Sequence, residues 1–260
     1  MHIGRFAISA ALFVLAASGV AIAQQQGRGA ATPPPTPKAA AAIDLTGYWV
    51  SVIVEDWKWR MVTPKRGVYE AIPLNAAGRM VADTWDPARD EAAGEQCRSY
   101  GAANIMRVPG RLHVTWENDT TLRIDTDSGM QARLMYFGTP PAAGEPSWQG
   151  RSLARWEYGP GRPSTTLGAG GRGAERGGNL KVVTTNLRPG YVRKNGAPYS
   201  ASATVTEYYD INTLPNGDIW LTVTTKVEDP QYFVRHYLTT SDFKKLPNAA
   251  GWNPTPCSAR

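Results

Sequence analysis

Arg111-Leu112-His113-Val114-Thr115-Trp116-Glu117, the pair Asn118-Asp119, and then Thr121-Leu122-Arg123-Ile124-Asp125-Thr126 form the stretch on which the fold turns. Apolar and polar side chains alternate on both sides of a two-residue turn signal, which predicts a hairpin with one face buried. Asp127-Ser128-Gly129 then leads into Met130 to Phe137, a third strand by the same turn chemistry. Working toward the C-terminus, alternation predicts strands at Ser152 to Glu157, Leu180 to Thr185, Ala203 to Asp210, Ile219 to Val227 and Tyr232 to Thr240. Working toward the N-terminus, Tyr48 to Val54 is β-branched and aromatic, and its continuation through Trp57 to Val62 is left open. Pro73 to Asp90 differs: Asn75 caps a short helix through Ala76 to Thr84, ended by Pro87. The expected fold is mainly β, an antiparallel up-and-down meander with one or two short helices. Such a meander must close on itself or pair sheets to protect its edges.

The ends of the chain set its surroundings. Arg5, the apolar run Phe6 to Val20 and the small-x-small triplet Ala21-Ile22-Ala23 read as an export signal cleaved after Ala23. No comparable apolar run follows, so a membrane-inserted helix is not expected. Residues 24–43, with Gln24-Gln25-Gln26 and Pro33-Pro34-Pro35-Thr36-Pro37, read as a tether. Residues 44–260 then form a single β-rich domain in a periplasmic or secreted protein. The formal charge is +6 with Lys and Arg scattered among Asp and Glu. That pattern reads first as ordinary solvated charge and second as a mild bias toward anionic envelope surfaces or acidic ligands, and it carries no nucleic-acid signature.

Cys97 and Cys257 are the two cysteines, the number an oxidising compartment would use for one bridge. A bridge closing so long a loop contributes on the order of 4 kcal/mol in the chain-entropy account. Two unpaired thiols are the alternative. Neither cysteine stands in a C-x-x-C pair, so thiol redox catalysis and a zinc cluster lack support. The Gly-rich stretch 159–178 contains a literal G-x-G-x-x-G, Gly168 to Gly173, without the helix a dinucleotide site needs. It reads as a loop. Ser152 lies on a strand and not on a G-x-S-x-G elbow, so serine hydrolysis has no footing.

Two resemblances follow from the placed strands. Asp44-Leu45-Thr46-Gly47-Tyr48-Trp49 resembles the G-x-W opening of lipocalin and other calycin barrels. The resemblance implies a lipocalin-like barrel with Trp49 closing one end, and many lipocalins use a tail-to-body bridge similar to the one above. The series Trp148-Gln149-Gly150-Arg151-Ser152-Leu153-Ala154-Arg155-Trp156-Glu157, then Leu180 to Thr185, Tyr199-Ser200, Val205-Thr206-Glu207 and Glu228-Asp229-Pro230 resembles a widespread group of exported bacterial proteins without a secure activity. This chain departs from the group by inserting the Gly-rich stretch between Glu157 and Leu180.

Candidate site residues come from alternation. Val205, Glu207 and Tyr209 share an apolar face, so Glu207 is either paired with an arginine such as Arg155 or Arg133, or poised as a general acid or base. Glu157, beside Leu153 and Arg155 on its strand, is the second catalytic candidate under the same two readings. If the first strand runs unbroken, Trp49, Ser51, Ile53, Glu55, Trp57 and Trp59 share a face, as a ligand cavity or as plain core. Trp156, Tyr199, Tyr209 and His236 complete the candidate lining. His113 and His236 lack metal-ligand spacing, and no metal or cofactor is expected. The reading that results is an exported barrel binding a small, partly hydrophobic molecule in a Trp- and Tyr-lined cavity. Alternatives are a cofactor-independent lyase, isomerase or hydrolase built on a buried carboxylate, and an envelope adaptor.

Overall fold

A computed structural model describes residues 33–158 and 178–260. The signal segment, residues 24–32 of the tether, and residues 159–177 of the Gly-rich stretch lie outside the described residues. Pro34–Arg260 makes one compact unit. Its body is a closed barrel of β1 (Gly47–Val52), β2 (Arg111–Asn118), β3 (Thr121–Thr126), β4 (Ala132–Phe137), β5 (Arg151–Tyr158), β6 (Gly178–Thr185), β9 (Thr204–Thr213), β10 (Ile219–Glu228) and β11 (Tyr237–Leu246). The order around the barrel is β1-β11-β10-β9-β6-β5-β4-β3-β2. Two further strands, β7 (Gly190–Arg193) and β8 (Ala197–Tyr199), pair with each other outside it.

The predicted hairpin holds: Leu112 faces Thr126 and Val114 faces Ile124, and the side chains of Leu112, Val114, Leu122 and Ile124 are buried. Alternation continues around the barrel, with Leu180 and Val182 of β6, Val205 and Tyr209 of β9, and Leu221 and Val223 of β10 all at 0 % exposure. Each such side chain contributes about 1.5–3 kcal/mol by leaving water. Trp49 is fully buried among them, its indole N–H donating to Leu45 O at 2.9 Å.

The meander is not antiparallel throughout. β4 and β5 run parallel, Met135 opposite Ser152 and Phe137 opposite Ala154, joined by the crossover of residues 138–150. Nine strands require this, because directions can alternate around a closed ring only when the number is even. An eight-stranded lipocalin course is therefore absent although the closed barrel is present.

The chain between β1 and β2 builds a lid over one barrel end. The first strand stops at Val52, and Trp57–Arg60 is a single helical turn, α1, entered through Asp56 in the left-handed region at φ 53°. Asp tolerates that backbone better than most residues. The face expected to run from Trp49 to Trp59 is thus broken after the strand. Asn75 caps α2 (Ala76–Ala82) by accepting from Gly78 N at 2.8 Å. Pro87 does not end that helix; it opens α3 (Pro87–Ala92), with Asp86 as cap, since proline at the first helical position loses no bond. α2, the β7–β8 hairpin and residues 229–236 pack around Tyr69, Leu74, Tyr199, Phe233 and Tyr237, a second core above the first. The 3-10 turn Ile105–Arg107 drives Ile105 and Met106 into the barrel core below.

The last strand begins at Tyr237, five residues later than alternation suggested, because residues 229–236 belong to the lid: Phe233 bridges Leu74, and Val234 N donates to Pro73 O. The tether also ends earlier than composition implied. Lys38 N donates to Asp119 O, the Trp156 indole to Pro37 O and the Tyr158 hydroxyl to Ala40 O, so residues 37–43 lie on the opposite barrel end with Ala40 and Ala42 buried. At the C-terminus, Trp252 meets the stacked Tyr48 and His113 rings on the outer wall, and Cys97–Cys257 pins the tail to the lid.

Candidate functional site

Inside the barrel, the carboxylate singled out by alternation is paired. Arg133 grips Glu207 with both terminal nitrogens, NH1 to Oε1 at 2.9 Å and NH2 to Oε2 at 2.6 Å, and neither side chain is exposed. Arg133 also donates to the Tyr209 hydroxyl and to Thr184 Oγ1, both at 3.4 Å, and Thr184 shares a 2.8 Å hydrogen bond with Ser152. Burial alone would lower the Arg133 pKa, but the Glu207 and Tyr209 oxygens outweigh it and hold the guanidinium charged. Burial pushes the Tyr209 hydroxyl well above its usual range, and Glu207 adds to that. Of the two readings left open for Glu207, the geometry is that of the arginine pair, with Arg133 and not Arg155 as partner.

The other sequence candidates disperse. Glu157 lies on the outer face, ion-paired to Arg155 at 2.8 Å and Lys181 at 3.7 Å. Val182, which sits between β9 and β5, faces Glu207 on one side and Ala154 on the other, so the two glutamates are on opposite faces of the wall. Trp156 packs with Trp116 and Phe137 at the end where residues 37–43 lie. Tyr199 is buried in the lid and not in the barrel lumen. His236 is exposed ahead of β11, beside Val234 at 71 % exposure, so the inward face expected for it is absent. Trp57 is 64 % exposed. Among the described residues, no group of three or more His, Cys, Asp or Glu side chains is placed to hold a metal ion, and no helix is long and apolar enough to cross a membrane.

The seam between lid and barrel holds a cluster that alternation did not reveal. Arg60 ends α1, Arg107 ends the 3-10 turn beneath it and Arg193 ends β7; all three are buried. With Trp59, Thr63, Asn104, Val108, Pro109 and Lys194 they line a cleft of about 30 Å³. Arg60 Nε donates to Arg107 O at 3.0 Å, Arg107 NH2 to Asp56 Oδ2 at 2.8 Å, and Arg193 NH2 to Glu70 O at 3.0 Å. The Arg193 guanidinium also lies 4.7 Å from the Trp59 ring centre. Glu55 approaches Arg60 NH1 only to 3.7 Å. Both terminal nitrogens of Arg60, NH1 of Arg107 and Nε of Arg193 are buried without a hydrogen-bond partner.

Buried N–H groups are normally satisfied, and a buried charge left unpaired costs several kcal/mol. Burial, and then Arg107, hold the Arg60 guanidinium below its ordinary pKa; burial does the same to Arg193, with the neighbouring Tyr237 hydroxyl opposing it and Arg107 adding to it. Asp56, the residue in a left-handed backbone, supplies the nearest full countercharge. An anionic group in the cleft would meet the open donors and relieve the repulsion. These arginines escape a periodicity search because each ends its element in a short turn or strand. The one local signal is Trp57-Lys58-Trp59-Arg60, where cations and rings interleave.

Residues that carried the second resemblance prove to be joints. Asp229 accepts from Ser200 N at 2.6 Å, Ser200 Oγ at 2.8 Å and Gln231 N at 2.9 Å, locking β8 to the turn after β10. Gln149 donates to Tyr100 O and Gln131 Oε1. Gly150, at φ 59°, leaves no room for a Cβ, which would sit 2.5 Å from Thr185 O. Comparison with protein families, curated proteins and solved structures finds no match to this chain.

Proposed function

We propose that this is an exported β-barrel binding protein that holds the acidic group of a small, partly hydrophobic ligand at the seam between barrel and lid. The observation that carries the reading is the set of buried guanidinium N–H groups of Arg60, Arg107 and Arg193 left without partners beside the Trp59 ring. A cleft of about 30 Å³ has room for about two water-sized atoms at roughly 10–15 Å³ each, so it admits the oxygens of a carboxylate and leaves the rest of the ligand outside against Trp59 and Pro109. Export is supported by the signal-like N-terminus and by the disulfide, which suits an oxidising compartment. Glu207, sealed and bidentate with Arg133, lends no support to acid–base catalysis.

Phenylacetate and 2-phenylethanol test this, one carrying a carboxylate and the other an uncharged hydroxyl on the same ring. Phenylacetate is expected to raise Tm as its concentration passes Kd, reaching about 2.7 kcal/mol of added stability at 100-fold excess over Kd, while the alcohol does not. Arg60→Met should abolish the shift and raise the ligand-free Tm, because it removes one repelling charge. Equal shifts from both compounds, no shift from phenylacetate, or a shift unchanged in Arg60→Met would reject the reading.

A further inference from the structure

We propose that the lid rim formed by residues 54–62 and 234–238 docks the protein onto an anionic lipid surface. Val54, Trp57, Met61 and Val62 are 58, 64, 59 and 68 % exposed, and Val234 and Leu238 are 71 and 57 % exposed. Six of the ten large hydrophobic side chains that stand exposed among the described residues thus come from two short segments. The segments are neighbours: β1 pairs with β11 up to Val52 and Asp242, and just beyond, Thr240 Oγ1 donates to Glu55 Oε1 at 3.2 Å. Exposed hydrophobic residues occurring singly need no explanation, but a contiguous set marks an interaction site.

Charge identifies the occupant. Lys58, Lys65, Arg66 and Arg235 are exposed around the apolar residues. The acids within the same stretch are turned to other work, Glu55 beside Arg60 and Asp56 on Arg107. The outward surface of residues 54–66 is therefore apolar and cationic, with Trp57 among its exposed side chains, while the exposed Glu70 lies beside Arg235. Tryptophan is at home at the boundary between hydrocarbon and headgroups, and lysine and arginine beside it attract anionic lipids. Protein interfaces, in contrast, are depleted in lysine. Docking of this kind lays the rim on the headgroups and needs no spanning segment. It stands independently of the arginine cleft, which is lined by other side chains of the same loop.

Flotation of the signal-less protein with vesicles decides the matter. Vesicles of phosphatidylcholine with one quarter phosphatidylglycerol should carry the protein at 50 mM NaCl, whereas pure phosphatidylcholine vesicles should not, and 500 mM NaCl should release it. Trp57→Ala with Met61→Ala should lower the bound fraction at least tenfold. Lys58→Glu with Lys65→Glu should lower it further, at about fivefold or more for each cation lost. Both pairs lie on exposed side chains, so their Tm should stay within a degree or two of the parent, and Met130→Ala, exposed on a different turn, should float as the parent does. No flotation with anionic vesicles, or flotation indifferent to both variant pairs, overturns the proposal. So does a Trp57-dependent dimer without vesicle binding, which would give the patch to a second copy of the chain.

Discussion

Glu207 shows how far a single residue can be read before its partner is known. Its place on an inward face follows from Val205 and Tyr209 two residues to either side, and the structure puts all three at 0 % exposure. What it does inside depends on Arg133, which β4 brings across the lumen from far away in the chain. Glu207→Gln keeps the size but leaves the Arg133 guanidinium buried without a countercharge, so unfolding by urea should show a loss of about 3–5 kcal/mol. Adding Arg133→Met to Glu207→Leu should recover most of it, because a well-packed apolar pair replaces both charges. If Glu207→Gln instead left stability unchanged, the bidentate pair would not exist in solution. Arg60, Arg107 and Arg193 teach the opposite lesson. They sit where elements end, and no spacing rule connects them, so only the fold shows that they meet.

At the scale of elements, strands with clear alternation and turn chemistry appear within a few residues of their expected limits, except the last, which runs Tyr237–Leu246 against an expectation of Tyr232 to Thr240. β3 spans Thr121–Thr126 as read, and β10 spans Ile219–Glu228 against an expectation of Ile219 to Val227. Short elements fared differently, since β7 and β8 have four and three residues and too few alternations to register. The turn between them, Asn195-Gly196 with Gly196 at φ 81°, was the visible clue. Trp57 to Arg60 is open in the sequence because aromatic residues suit strands and short helical turns alike, and the left-handed Asp56 decides between them. The cap of α2 is legible in the sequence, Asn75 accepting from Gly78 N, whereas its donation to Gln231 O at 2.9 Å is a tertiary contact. Asn75→Ala should therefore cost about 1 kcal/mol for the cap, with the lost tie to the lid adding to it. Urea denaturation should show at least this drop, and Asn75→Asp, which keeps the cap but not the tie, should recover only part.

For the whole molecule, closure and the tail matter most. The bridge Cys97–Cys257 spans 160 residues and ties the C-terminal tail to the lid, and the β3–β4 turn holds it as well, where Gly129 N donates to Thr255 O and Ser128 pairs with Thr255. Cys97→Ser with Cys257→Ser should lower stability by roughly 2–5 kcal/mol. It should also expose the tail near Trp252 to protease while the barrel core survives, since the tail lies on the outer wall and contributes no strand. Equal proteolysis with and without the bridge would show that the tail is held by its other contacts. Local pattern in the chain is enough for the class of structure, the inward faces of the main strands and the capped helix, and the cysteine count is enough for the pair. The first three depend on neighbours within one or two turns or strands, where periodicity and backbone preference act directly, whereas the cysteine pair follows from there being two cysteines in a chain that reads as exported. The parallel β4–β5 pair, the lid, the partner of Glu207 and the three arginines at the seam emerge with the folded chain. Each of these is a contact between residues distant in the chain, and what brings them together is closure of the ring and burial of two cores, which no local pattern encodes.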